Sequence, residues 1–123
     1  MTIIVADTTC GLPRAMLEAR GIPLIPQVVT FGEESFHDSQ EMDTAMFLQR
    51  LKASSGLPKT AAPEPSLYVP IFKQAQENGE SVIVVAPTGK ASGTVRSAET
   101  AAQDFAGVDI HVVDTQPISC NLG

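Results

Sequence analysis

The sequence predicts an α/β fold, a mostly parallel sheet flanked by helices, and three observations predict it. Residues 81–86 read SVIVVA, a short apolar run rich in β-branched side chains, which suits a strand buried on both faces. From about Gly93 the period changes. Val95, Ala98, Ala101, Ala102 and Phe105 recur at spacings of three and four, which puts them on one helix face. Runs of the same strand character stand at 2–6 and 109–114, with helical stretches between them.

The strand–turn–helix unit at 81–105 is the centre of this pattern. Pro87 and Gly89 stop the strand, and Ser92 is the expected N-cap of the helix, its side-chain oxygen taking a backbone N–H that the first turn leaves unpaired. In a parallel sheet such a turn lies at the carboxyl end of the strand, where ligands bind. A helix N-terminus there favours an anion.

The other elements follow in order. After strand 2–6 come Asp7-Thr8-Thr9, and Pro13 favours a helix start that runs to about Arg20 and ends at Gly21. Residues 22–31 are apolar, but Pro23 and Pro26 demote them to an edge or irregular strand. Gly32-Glu33-Glu34 then turns the chain into a hairpin with Ser35-Phe36. Asp43 is the expected N-cap of a helix to about Ser54 with Met46, Phe47 and Leu51 facing inward. The stretch 55–65, SGLPKTAAPEP, holds three prolines and is expected to be irregular. A further helix covers about 66–77, closed by Asn78-Gly79.

Bulk properties narrow the function classes. The chain has 123 residues, enough for one domain, and 43% of them are hydrophobic, enough for a core. Its net charge of −6, without a basic run, argues against nucleic acid and anionic membrane surfaces as partners. No apolar run reaches the roughly 20 residues of a transmembrane span. The opening MTIIVADTT lacks a basic n-region and reads as a strand, so a cytoplasmic location is expected. Cys10 and Cys120 are too few for a disulfide framework; they read as free thiols that follow strand ends.

Three strand ends are expected to converge on one edge of the sheet. They carry Asp7-Thr8-Thr9, the segment Thr88-Gly89-Lys90-Ala91-Ser92-Gly93-Thr94, and Asp114-Thr115, and the Pro-rich loop adds Thr60. Hydroxyls and N–H groups of this kind bind a carboxylate or phosphate, but little general base stands near them. The pattern suggests binding more than catalysis. Each residue also has a plainer reading: Ser92 as a cap, Thr60 as a loop residue, Asp7 and Asp114 as caps rather than metal ligands, His37 on the surface and His111 in a strand. Gly89-Lys90 is a poor phosphate loop, because Val84 and Ala91 stand where that motif needs Gly and Ser or Thr.

These residues carry a resemblance. The sequence resembles the N-terminal lobe of the DegV family of fatty-acid-binding proteins. The family's D-S-x-x-D-L-P motif is matched by Asp7-Thr8-Thr9-Cys10-Gly11-Leu12-Pro13. Its V-P-L-x-V-x-F-G-x-E-x-Y-x-D stretch is matched from Ile25 through Pro26, Gln27, Phe31, Gly32 and Glu34 to Asp38. The P-x-T-S-Q-P-S loop is seen as Pro58-Lys59-Thr60-Ala61-Ala62-Pro63-Glu64, and S-S-x-L-S-G-T-x-x-S-A as the stretch from Thr88 through Ser92, Gly93 and Thr94 to Ala98. The closing D-S or D-T is Asp114-Thr115, with Ser119 and Gly123 downstream.

The resemblance implies one lobe of a two-lobed protein, residues 1–123, with the C-terminal lobe absent or truncated. It implies a long-chain fatty acid whose carboxylate is held by Thr60 and Ser92, with Gly93, Thr94, Asp7 and Thr8 in support. It implies no metal or other cofactor. The acid would be presented to a fatty acid kinase, which does the phosphoryl chemistry, and a homodimer is a further possible partner. Leu24, Val28, Phe31, Phe47, Leu51 and Phe72 are candidate walls for the tail, although ordinary core is the first reading of any one of them. Ala61-Ala62 replaces the loop's Ser-Gln, and Thr88-Gly89 replaces Ser-Ser. The alternatives are a small acyl- or phosphoryl-transfer enzyme built on Asp7, Asp114 and Ser92, and a lobe that binds nothing by itself.

Overall fold

The computed structural model describes residues 1–116. Ser119, Cys120 and Gly123 therefore lie outside the described residues. In order the chain forms β1 (Thr2–Asp7), α1 (Arg14–Ala19), β2 (Leu24–Ile25), β3 (Val28–Phe31), β4 (Glu34–His37), α2 (Thr44–Ala53), β5 (Lys59–Ala61), α3 (Val69–Asn78), β6 (Ser81–Ala86), α4 (Thr94–Ala102) and β7 (Ile110–Asp114). Four strands make a parallel sheet in the order β2-β1-β6-β7. The chain steps from β1 outward to β2, then returns to the other side of β1 and continues outward to β7. That reversal leaves a crevice between the carboxyl ends of β1 and β6, the place where open α/β sheets bind ligands.

A second, antiparallel sheet has the order β4-β3-β5. Two sequence expectations change here. Residues 22–31 are not one irregular strand: Pro26 separates β2, an edge of the large sheet, from β3, the centre of the small one. The Pro-rich stretch is not wholly irregular either, because its three proline-free residues at 59–61 add to β3 as an edge strand, with Thr60 opposite Val29. Pro58 and Pro63 flank that strand and break no ladder bond within it. The Gly32 turn joins β3 to β4 with Phe31 opposite Glu34, and Gly32 takes a φ of 62°, which glycine adopts without a steric penalty.

Helices α3 and α4 cover one face of the large sheet. Val5, Val82 and Val84 are buried beneath them against Tyr68, Phe72, Ala75, Ala98 and Ala101. Phe72 is the centre of this packing, its ring 5.9 Å from Tyr68 in a stacked pair and 5.8 Å from Phe105 edge-on. The other face is less covered. Helix α1 closes one end of it through Leu17, which packs with Ala6 and Cys10, while Ile4 and Val113 stay 45% and 42% exposed. Strand β6 is thus buried on one face and half-buried on the other, not buried on both as its composition predicts.

The Asp43 cap is present, its carboxylate accepting from the Met46 N–H at 2.8 Å. Met46 and Phe47 pack with Phe31 and Met42, whereas Leu51 lies at the exposed side of α2. α3 begins after a tight turn at Pro65–Leu67 and ends at Gly79, whose φ of 65° is the left-handed C-cap. Among the described residues no helix is long and apolar enough to cross a membrane.

Candidate functional site

The crevice between β1 and β6 is a cleft of about 390 Å³ lined by both hydroxyls and apolar side chains. The small sheet supplies one wall through Val29 and Thr60, and Ala61 and Ala62 continue it. The turn after β6 supplies the opposite wall through Pro87, Ala91, Ser92 and Gly93, and Thr8, Thr9 and Gln27 lie at its base. The walls nearly touch at Gly93, where a Cβ would stand 3.4 Å from the Ala62 side chain. Among the described lining residues none is basic, and Asp38 adds a carboxylate.

Thr60 and Ser92, far apart in sequence, are thus brought to one cavity, with Gly93 and Thr8. Thr94 and Asp7 lie behind it and are buried. The cap of α4 differs from the expectation by one residue. Gly93 occupies the N-cap position, and Ser92 bonds from outside it, its Oγ accepting from the Thr94 N–H at 3.3 Å. Asp114 stands apart from the cleft: its carboxylate accepts from the Gly89 N–H at 3.0 Å and ties the turn to β7. His37 pairs with Glu41 and His111 with Asp109, both at the surface and neither in the cleft.

Behind Ser92 runs a buried hydrogen-bond network. Asp7 accepts at one carboxylate oxygen from the Thr9 N–H (2.9 Å) and the Thr9 hydroxyl. At the other it accepts from Gln27 Nε2 at 3.0 Å, and the second Gln27 N–H goes to Thr94 Oγ1 at 2.9 Å. Thr94 Oγ1 and Ser92 Oγ are 2.8 Å apart. The Gln27 backbone N–H donates to Thr8 Oγ1 at 3.0 Å, which fixes the β2–β3 corner to the end of β1. Gln27 is the functional candidate that the sequence reading missed. Its one signal was a polar side chain inside an apolar run.

Burial is the largest influence on Asp7 and pushes its carboxyl above the usual aspartate range, and the bonds from Thr9, Gln27 and Thr94 pull it down only in part. The folded chain therefore holds this proton more tightly than the unfolded chain does. Ionising Asp7 costs stability, and the cost sets in as pH rises from the ordinary aspartate value through the raised one. Relative to Asp7→Asn, the wild-type chain is expected to be most stable in acid, to lose ground through that window and then to level off. Urea midpoints of both proteins between about pH 4 and about pH 8 check this; a wild type that gains on the variant as pH rises would contradict it. Tyr68, whose hydroxyl has no hydrogen-bond partner among the described residues, is pushed upward too, by burial first and by the Asp7 charge second.

The candidate tail walls do not form one channel. Phe72 lies in the main core, Leu24 packs against the α1 cluster, and Phe31 and Phe47 belong to the small-sheet cluster. A separate apolar groove of about 440 Å³ lies beside α1, lined by Ile4, Ala6, Cys10, Met16, Ile22 and Val85 among others. Ala6 and Val85 precede the cleft residues Thr8 and Pro87 by two positions on β1 and β6.

A family model described as uncharacterised protein, DegV family, matches residues 1–123. A DegV domain-containing protein of Clostridium perfringens is 32% identical over 120 residues, 98% of this chain and 43% of its own length. Another, from Halalkalibacterium halodurans, is 36% identical over 118 residues, 95% of this chain and 41% of its own. Among solved structures, the fatty-acid-binding DegV family protein of Thermus thermophilus superimposes with a TM-score of 0.87 at 32% identity, covering 99% of this chain and 43% of that one. DegV of Bacillus subtilis, a fatty-acid-binding protein, gives 0.90 at 27% identity over the same shares. This chain spans about two-fifths of the relatives it matches. With the α/β architecture and the motif order in agreement along its whole length, the chain belongs to the DegV family.

Proposed function

We propose that this chain binds a long-chain fatty acid and acts as a carrier rather than an enzyme. The carboxylate is held by the Thr60 and Ser92 hydroxyls and by the N–H groups that open α4, with Gly93, Thr94, Asp7 and Thr8 in support. The observation that carries the reading is the meeting of Thr60 and Ser92 in one cleft at the point where the strand order reverses. Fatty acid binding by the Thermus and Bacillus relatives supports it. Hydroxyl and N–H donors hold a carboxylate through charge-assisted bonds without a cation. The neighbouring apolar groove suits the tail, at about 0.8 kcal/mol for each CH₂ removed from water.

The cleft offers no complete phosphate loop and no histidine, which supports leaving phosphoryl chemistry to a partner, a fatty acid kinase to which the acid is presented. Residues 1–123 act as one lobe on this reading. The further chain of the longer relatives, or a second copy of this one, supplies the cover of the cleft.

Native mass spectrometry of the purified chain tests the proposal. The expected result is an adduct with the mass of a fatty acid of about 14–18 carbons, and uptake of oleate or palmitate by delipidated protein. Absence of both would overturn binding by this chain.

A further inference from the structure

We propose that Gln27 is a positioning residue that turns the Ser92 hydroxyl outward as a donor, and that this gives the cleft its preference for a carboxylate over a neutral headgroup. The inference rests on the carboxylate reading above and adds to it the source of selectivity.

The argument follows the protons. An ionised Asp7 can only accept, so the Gln27 amide must present its NH₂ group to it. The same nitrogen has one N–H left, and Thr94 Oγ1 receives it. With that bond made, Thr94 Oγ1 is engaged as an acceptor, and Ser92 Oγ stands 2.8 Å from it. By donating to Thr94 Oγ1, Gln27 leaves the Thr94 hydroxyl as the donor of the Thr94–Ser92 pair. Ser92 Oγ then accepts from both the Thr94 hydroxyl and the Thr94 N–H. Both its lone pairs are engaged, and its own hydrogen faces the cleft.

Without the amide, the order reverses. The Thr94 oxygen has lost its donor and takes the Ser92 proton, and Ser92 shows lone pairs to the cleft. Lone pairs repel a carboxylate and accept from an alcohol. Gln27 lies at the base of the cleft with both its N–H groups spent on Asp7 and Thr94, so its donors act on the ligand through Thr94 and Ser92.

The test measures selectivity. Dodecanoate and 1-dodecanol each compete with a fluorescent fatty acid probe on the 123-residue chain at about pH 8, where ligand and site are compared at fixed tail length. Wild type is expected to prefer the acid. Gln27→Leu and Thr94→Val are expected to lower the acid-to-alcohol ratio about tenfold or more while alcohol affinity stays within about twofold. Thr94→Ser, which keeps the hydroxyl, is expected to retain the ratio. A packing defect weakens acid and alcohol alike, so the ratio separates positioning from structure. If Gln27→Leu does not fold, the Thr94→Val and Thr94→Ser pair decides. Wild-type preference that survives in Gln27→Leu or in Thr94→Val overturns the inference alone. A wild type that binds lipid with no preference for the acid, or binds neither ligand, overturns the carboxylate reading and this inference with it.

Discussion

Phe72→Ala is expected to lower stability by roughly 3–5 kcal/mol, the range for emptying a fully buried aromatic site. Phe72 has no exposed surface and touches both aromatic neighbours of the main core, Tyr68 and Phe105. It also lies in the cluster that joins α3 to Val5, Val82 and Val84 of the sheet. Collapse around the hole is resisted, because the floor is a four-stranded sheet whose spacing is set by hydrogen bonds. A domain of this size has about 5–15 kcal/mol in all, so the variant stands near the point of unfolding. Urea denaturation checks the value, and Phe72→Leu, which refills much of the volume, should recover more than half of the loss. A loss under about 1 kcal/mol in Phe72→Ala would show that the packing around this ring is loose.

The Thr60→Val, Ser92→Ala double variant is expected to bind fatty acid at least about a hundredfold more weakly than wild type. Each hydroxyl donates to a charged acceptor, a bond that contributes about 1.5–3 kcal/mol where water is excluded. Thr60 sits on an edge strand and Ser92 on a turn, and neither side chain is in a hydrophobic core cluster, so the fold should survive their removal. Valine keeps the shape of threonine, which separates the loss of a donor from the opening of a cavity. Displacement of a fluorescent fatty acid, read beside the thermal melting point, measures both. Affinity unchanged in the double variant would keep the lipid and discard these two residues as its headgroup site. Affinity lost together with the melting point would point to the fold instead.

What could be read from the sequence and what could not divides by range. The Asp43 cap reaches Met46 within a single turn, and residue types alone carry that signal. The β6–α4 unit was legible for the same reason, through alternation of strand character and helical spacing. β5 was not, because three residues among prolines become a strand only when β3 offers a partner, and the pairing of Thr60 with Val29 is long-range. The cap of α4 stands at Gly93 rather than Ser92, a one-residue difference at a helix end that residue types alone do not resolve. Gln27 was hidden most deeply. It follows Ile25-Pro26 and precedes Val28-Val29, so it reads as an interruption of an apolar stretch. Its partner Thr94 is 67 residues away, and only the folded topology brings the two together. Thr60 and Ser92 were singled out through family motifs, and the structure puts both on one cleft.

The pairing of β1 with β6 has a consequence for how this chain is made. Thr2 finds its neighbour only at Ser81, and β1 has no earlier partner on that side of the sheet. A ribosome adds about 5–20 residues each second, so Ile3, Ile4 and Val5 emerge several seconds before β6 exists. During that interval β1 has only two-residue β2 to pair with, and its valine and isoleucine side chains lie open. Of the strands in the large sheet, β1 is therefore the one that waits longest for a full partner and is most exposed to off-pathway contacts with other nascent chains. Helper factors that shield apolar segments at the exit tunnel would act on β1, and completion of the sheet waits for the strand that leads into the turn at 87–93.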